Sequence, residues 1–160
     1  MFERYTEKAL GTIFFARDAA SQFGSPKIEP EHLLLGLLHE SKPLPEGSQR
    51  PDISWALLVR HKELIRKQIE VHATIRAPVP TSVDMLLSNE CQRVLAYAAQ
   101  EAERLSHKHI GEAERLSHKH IGIEHLLLGL LREQDCFATK VLNERGVLLE
   151  SARAQIENRL

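Results

Sequence analysis

Only two cysteines occur in 160 residues, Cys91 and Cys136, and they supply no disulfide framework. Cys91 falls on the apolar stripe of an expected helix, where a free thiol behaves as a small buried hydrophobe. Charge of one sign is also lacking. The 21 Lys and Arg nearly cancel the 22 Asp and Glu, so electrostatic capture of nucleic acid or of an anionic membrane surface is not expected. Apolar runs are short, as in the LLLGLL of 33–38, well under the roughly 20 residues of a membrane span. The opening MFERYTEKA is charged and has no apolar core of a signal peptide, which makes the cytoplasm the expected compartment. None of the eight glycines opens a G-x-x-x-x-G-K-[ST] phosphate cradle, and no G-x-S-x-G nucleophile turn occurs. No enzyme activity and no cofactor are expected.

What the sequence does have is repetition, at two scales. EAERLSHKHIG is written twice without a break, at 101–111 and 112–122. Around it lies a more diverged repeat, IEPEHLLLGLLHE at 28–40 against IGIEHLLLGLLRE at 121–133. Before the tandem copy the halves align at an offset of 82, which carries Ala9, Ile13, Ala16, Ala20 and Phe23 onto Cys91, Leu95, Ala98, Ala102 and Leu105. After it the offset is 93, which carries Glu31, His32 and Gly36 onto Glu124, His125 and Gly129. The difference, 93 − 82, is the length of one copy. One domain over 1–160 is expected, with repeat one at 1–76, a linker at 77–83, and repeat two at 84–160 carrying an eleven-residue insertion within 101–122.

Apolar residues at spacings of three and four predict helices throughout. Residues 6–23 form the first, with Thr6 as N-cap and Gly24-Ser25-Pro26 as its stop. Residues 30–40 form the second, with Pro30 in the first turn and leucines 33, 34, 37 and 38 as a wide apolar face. Gly36 and Gly129 lie inside helices at a cost of roughly 1 kcal/mol each against alanine, so close helix–helix approach is expected at both. A proline-rich loop at 42–52 precedes a short helix at 54–61 and a longer one at 62–72. The second half repeats the plan at 88–105, with Ser88 as N-cap, then at 123–133, 137–145 and 149–159. The fold class is therefore all-α, eight helices in two pseudo-symmetric sets of four.

Two outcomes are open for the tandem copy. Eleven residues turn a helix only about 20° past three full turns, so a helix lengthened by about 16 Å would keep its stripe in phase. Looping out is favoured, because it leaves both repeats in register and a doubled loop costs only about 0.6 kcal/mol. A lengthened helix would invite domain swapping, so a monomer is expected, with a swapped dimer through the insertion as the alternative.

The copy also supplies His107, His109, His118 and His120, with His125 nearby. Imidazoles ligate metals, but no H-x-x-x-H here combines with an acidic neighbour in a metalloprotease pattern, and no metal site is expected. Glu31 and Glu124 are the best-placed carboxylates. Each falls in the first turn of its helix, where a negative charge suits the macrodipole and exposed amides, so helix-start stabilisation and ligand binding both remain open for the pair.

MFERYTEKA, the paired EHLLLGLL motifs and the late ERGV closely resemble the amino-terminal double-repeat domain of Clp ATPases, most of all the ClpC branch, across essentially the whole chain. The resemblance implies docking of protein substrates and Clp adaptor proteins onto a AAA+ unfoldase, without catalysis. It implies Glu31 and Glu124 as ligand-binding residues, matching the glutamates that contact the guanidinium of phosphoarginine in some ClpC-like members. The threonines that precede those glutamates are here Pro30 and Ile123, so phosphoarginine is expected to bind weakly or not at all; the tandem copy adjoins the second position, which makes the first the safer site. The alternative is a stand-alone chaperone-like or regulatory protein that holds unfolded chains, or acts on Clp ATPase subunits in trans.

Overall fold

The computed structural model describes residues 2–40, 58–73, 77–80, 84–108 and 120–158. The expected loop at 42–52, part of the helix at 54–61, residues 81–83 of the linker and the 109–119 stretch of the tandem copies lie outside them. Whether the copy loops out or lengthens a helix therefore also lies outside the described residues.

Helix α1 spans Glu7–Gln22 and starts as expected, with Thr6 Oγ1 accepting from the Ala9 amide at 3.2 Å. It ends in a double-bonded left-handed turn: Gly24 has φ 70°, its N–H donates to Ser21 O at 3.1 Å, and the Ser25 N–H donates to Ala20 O at 2.9 Å. Helix α2 spans Pro30–Glu40, and every residue from Leu33 to Leu38 is buried. The wide face expected for it is thus burial all round, the mark of a helix at the centre of a core. Residues 58–60 are helical, the described end of the expected 54–61 helix, with Leu58 fully buried. Helix α3 spans Lys62–His72. The second half brings α4 (Asn89–Lys108), α5 (Ile123–Arg132), α6 (Phe137–Glu144) and α7 (Leu149–Asn158). The Cys91 amide donates to Ser88 Oγ at 3.1 Å, so Ser88 caps α4 as its sequence predicts.

The expected end of α4 at Leu105 needs correction, since the helix runs on to Lys108. The reason is local. An offset of 82 places Ser106 where repeat one has Gly24, and a serine does not favour the left-handed turn that stops α1. Gly146, with φ 84°, keeps that stop after α6.

Helix α1 packs on α2 and α4 on α5, while α2 and α5 meet at the centre of the molecule. Both interior glycines lie where two backbones touch. A Cβ on Gly36 would collide with the Thr12 carbonyl oxygen, and one on Gly129 with the Val94 carbonyl oxygen. The two contacts are the same contact, because an offset of 82 carries Thr12 onto Val94 and an offset of 93 carries Gly36 onto Gly129.

Very short β pairing joins the halves, which helical periodicity does not reveal. Strand β1 (Lys27–Ile28) runs parallel to β2 (Leu86–Leu87), with Ile28 opposite Leu87, and Tyr5 forms a parallel bridge to Ile121. These pairings are also equivalent: Tyr5 corresponds to Leu87 and Ile28 to Ile121. The Ser88 N–H donates to Ile28 O at 2.9 Å and the Thr6 N–H to Ile121 O at 3.0 Å. Each repeat thus lends its entry segment to the other.

Replacing Gly36 or Gly129 by alanine gains roughly 1 kcal/mol of helix propensity but drives a methyl group into a carbonyl that cannot move without parting two helices. A net loss of about 1–3 kcal/mol is expected for each, read as a fall of several degrees in melting temperature. Unchanged or raised melting temperatures would refute the close approach.

Candidate functional site

The two EHLLLGLL helices begin in the same way. In each, a histidine in the first turn reaches back to the residue before the helix. The Glu29 N–H donates to His32 Nδ1 at 2.9 Å, and the Gly122 N–H donates to His125 Nδ1 at 2.9 Å. This is the reciprocal half of a capping box, with imidazole in place of the usual Glu or Gln. An Nδ1 that accepts a bond from an amide is unprotonated, so the neutral ring carries its hydrogen on Nε2. Both rings are buried. Burial pushes each pKa down to about 4, with Glu101 opposing and Arg4 assisting at His125. The Glu124 Oε1 at 3.7 Å from His125 Nδ1 is accordingly a carboxylate beside a neutral imidazole, not an ion pair.

Glu31 and Glu124 occupy matching positions in different surroundings. Burial raises the Glu31 carboxyl above the ordinary carboxylate range; its own amide N–H opposes this, while Glu29 and Glu90 add to it and His72 offsets part of it. Glu124 instead folds back over the residue before its helix. A Cβ on Gly122 would lie 2.7 and 2.8 Å from the two Glu124 carboxylate oxygens, so glycine is what lets the carboxylate settle there. The glutamates head separate helices and form two half-buried positions rather than one joint carboxylate pair. Pro30 and Ile123 precede them and offer no hydroxyl, and Pro30 also lacks a backbone N–H. The first helix start therefore presents one hydrogen-bond donor fewer than the second.

A charge cluster that the sequence did not single out lies behind the second helix start. Glu101 on α4 is buried, with a side chain only 2% exposed. Arg153 reaches it through Nε at 2.8 Å and a terminal nitrogen at 3.0 Å, Arg104 at 3.2 Å and Arg132 at 3.3 Å. Burial alone would raise its pKa, but the bonds from Arg153 and Arg104 outweigh it and hold the carboxyl below the ordinary range. Arg104 also meets Glu157 at 2.6 Å, tying α4 to α7. The only sequence signal was a carboxylate adjoining the apolar stripe at Ala102, and its partners come from three different helices.

A model of the Clp repeat (R) N-terminal domain matches residues 4–116 and 111–160, two segments that overlap inside the tandem copies. The chain belongs to the Clp N-terminal repeat family. It is 31% identical over 156 residues to the negative regulator of genetic competence ClpC/MecB of Bacillus subtilis and 30% identical over 156 residues to the chaperone protein ClpB of Oceanobacillus iheyensis. Both matches cover 98% of this chain and 17% of the relative, so the chain spans about a sixth of the length of these curated relatives. Among solved structures, the N-terminal domain of the Arabidopsis thaliana chaperone ClpD aligns with a TM-score of 0.63 at 25% identity, over 99% of this chain and 96% of that one. The Hsp104 N-terminal domain of Candida albicans, at 20% identity over 98% and 92% of the two chains, shares the fold with a TM-score of 0.66.

Within this Clp repeat domain no described helix is long and apolar enough to cross a membrane. Among the described residues no group of three His, Cys, Asp or Glu could hold a metal ion. His120 is exposed, while the His107, His109 and His118 side chains lie outside the described residues. Cys91 is fully buried, as expected, and burial pushes its thiol well above the ordinary range.

The two capping histidines make stability depend on acid. The unfolded chain takes up protons on them below about pH 6.5, whereas the folded domain resists until about pH 4. Stability should therefore be complete above pH 6.5 and fall by roughly 3 kcal/mol per histidine as the pH drops from 6.5 to 4. Glutamine keeps an acceptor for the capped amide but does not titrate. His32→Gln and His125→Gln should each flatten the pH dependence of urea unfolding midpoints across this window, and an unchanged slope would contradict the assignment.

Proposed function

We propose that the chain is a non-catalytic docking domain that presents protein substrates or adaptor proteins to a Clp-type unfoldase. The observation that carries this reading is the extent of the match. Nearly the whole chain corresponds to the N-terminal repeat domain, a segment that makes up 17% of each of the first relatives. The fold supports the same reading, since the two equivalent helix starts are fixed alike by histidine caps. We place the docking contacts at Glu31 and Glu124, with Glu31 the stronger contributor. The chain acts as one monomeric unit over 1–160, with repeats 1–76 and 84–160 joined at 77–83 and the insertion within 101–122.

The immobilised chain should capture Clp ATPase subunits, adaptors or a small set of defined substrates from lysate, identified by mass spectrometry. Glu31→Lys should weaken capture roughly tenfold, the equivalent of about 1.4 kcal/mol, and Glu124→Lys should weaken it less. A broad smear of unfolded clients would favour a holding chaperone instead, and substrate turnover abolished by either substitution would overturn the non-catalytic reading.

Calorimetry with free phosphoarginine should show millimolar binding or none, because Pro30 and Ile123 leave its phosphate without hydroxyl donors. Micromolar binding at two sites would refute this.

A further inference from the structure

A groove of about 470 Å³ opens between α3 and α6, and neither helix start uses it. Helix α3 buries Ile65 and Ile69 and turns a second stripe outward, with Leu64, Lys67, Gln68 and Val71 at i, i+3, i+4 and i+7. Leu64 is 49% exposed and Val71 86%, the highest value among the described large hydrophobic residues. At one end the His72 ring lies flat on Phe137, with centroids 3.6 Å apart and planes within 8°. Together these residues make a continuous apolar surface rather than scattered single side chains.

The rim decides what can lie there. Arg145 is held over the groove by two bonds to Gln68 Oε1, from Nε at 3.3 Å and a terminal nitrogen at 2.8 Å. The Gln68 amide is fixed in turn by donating to Glu144 Oε2 at 3.3 Å. Among the described residues neither this aimed Arg145 guanidinium nor Lys67 meets a carboxylate. Elsewhere Arg66, Arg93, Arg104, Arg132 and Arg153 all meet carboxylates. Beyond His72 the sign reverses, where Glu29, Glu31 and Glu90 gather. A purely apolar occupant would leave Lys67 and Arg145 without a counter-charge, and a basic one would be repelled.

We infer that the groove takes an acidic amphipathic helix of a partner protein, its apolar face on Leu64, Val71 and the His72–Phe137 stack and its carboxylates on Lys67 and Arg145. This rests on the docking function proposed above and gives it a second contact surface, with a partner of defined chemistry.

The probe is a fluorescein-labelled amphipathic peptide of leucine and glutamate, about three helical turns long, with a leucine–lysine version as its counterpart. Anisotropy should show binding of the glutamate peptide alone, weakened by added salt, with amide chemical-shift changes confined to α3 and α6. Val71→Asp and Lys67→Glu should each weaken it at least about tenfold without lowering the melting temperature, and Phe14→Ser on α1 should leave it unchanged. Should Val71→Asp melt without cooperativity, Lys67→Glu decides by itself. Equal binding of the lysine peptide, no binding at millimolar concentration, or binding indifferent to Lys67→Glu would overturn the groove. If Clp subunits or adaptors are still captured in those cases, only the groove falls. If the peptide binds as expected while no defined Clp partner is captured, the groove stands and the Clp docking reading falls.

Discussion

Two close backbone contacts, one in each repeat, set the spacing of the helices around them. Gly36 rests on the Thr12 carbonyl and Gly129 on the Val94 carbonyl, so α2 meets α1, and α5 meets α4, more closely than any side chain would permit. That spacing lets leucines on both sides of each glycine interlock, which is why the EHLLLGLL helices are buried all round. Each fully buried leucine contributes roughly 1.5–3 kcal/mol, so the loss of propensity at a single glycine is the smaller term. The first turns of these helices are consequently held in dry surroundings. A histidine there stays neutral and can accept from an amide, which an exposed imidazole would do poorly at neutral pH in competition with water.

The crossed pairing of Tyr5 with Ile121 and of Ile28 with Leu87 makes the two repeats one structure. Neither repeat closes its own edge, and each helix start lies beside a segment lent by the other. Around this shared frame the halves have drifted apart. Glu29 in repeat one corresponds to Gly122 in repeat two, and that difference lets Glu124 fold over its own helix start while Glu31 gathers two acidic neighbours. Ala19 corresponds to Glu101, so among the described residues the buried charge surrounded by arginines lies in the second half. The two candidate positions have become chemically unequal while remaining geometrically equivalent.

The features legible in the sequence were those written in a local code. Thr6, Ser88 and Gly24 act through hydrogen bonds or backbone angles within a few residues, and the structure uses all three as their types predict. The glycines could be read for close approach because their cost recurred at equivalent positions. The crossed β pairs were illegible, since two residues are too few to show a period of two and the partners lie in different repeats. The arginine cluster was illegible for a related reason. Arg104, Arg132 and Arg153 are ordinary surface-type residues on three helices, and only packing brings them onto Glu101. The same holds for the α3–α6 groove, whose two walls come from different repeats.

The tandem copy is a case where covalent continuity does the sorting. Ala102 and Leu105 are chained to α4 and belong to its buried face, while Ile121 and Gly122 are chained to α5, where one pairs with Tyr5 and the other gives its amide to His125. Among the described residues, 101–108 belong to the first copy and 120–122 to the second. Because the copies are identical, no packed position had to change its side chain when the second appeared. Both edges of the doubled segment are thus anchored, by the buried Ala102 and Leu105 on one side and by the Tyr5 and His125 contacts on the other.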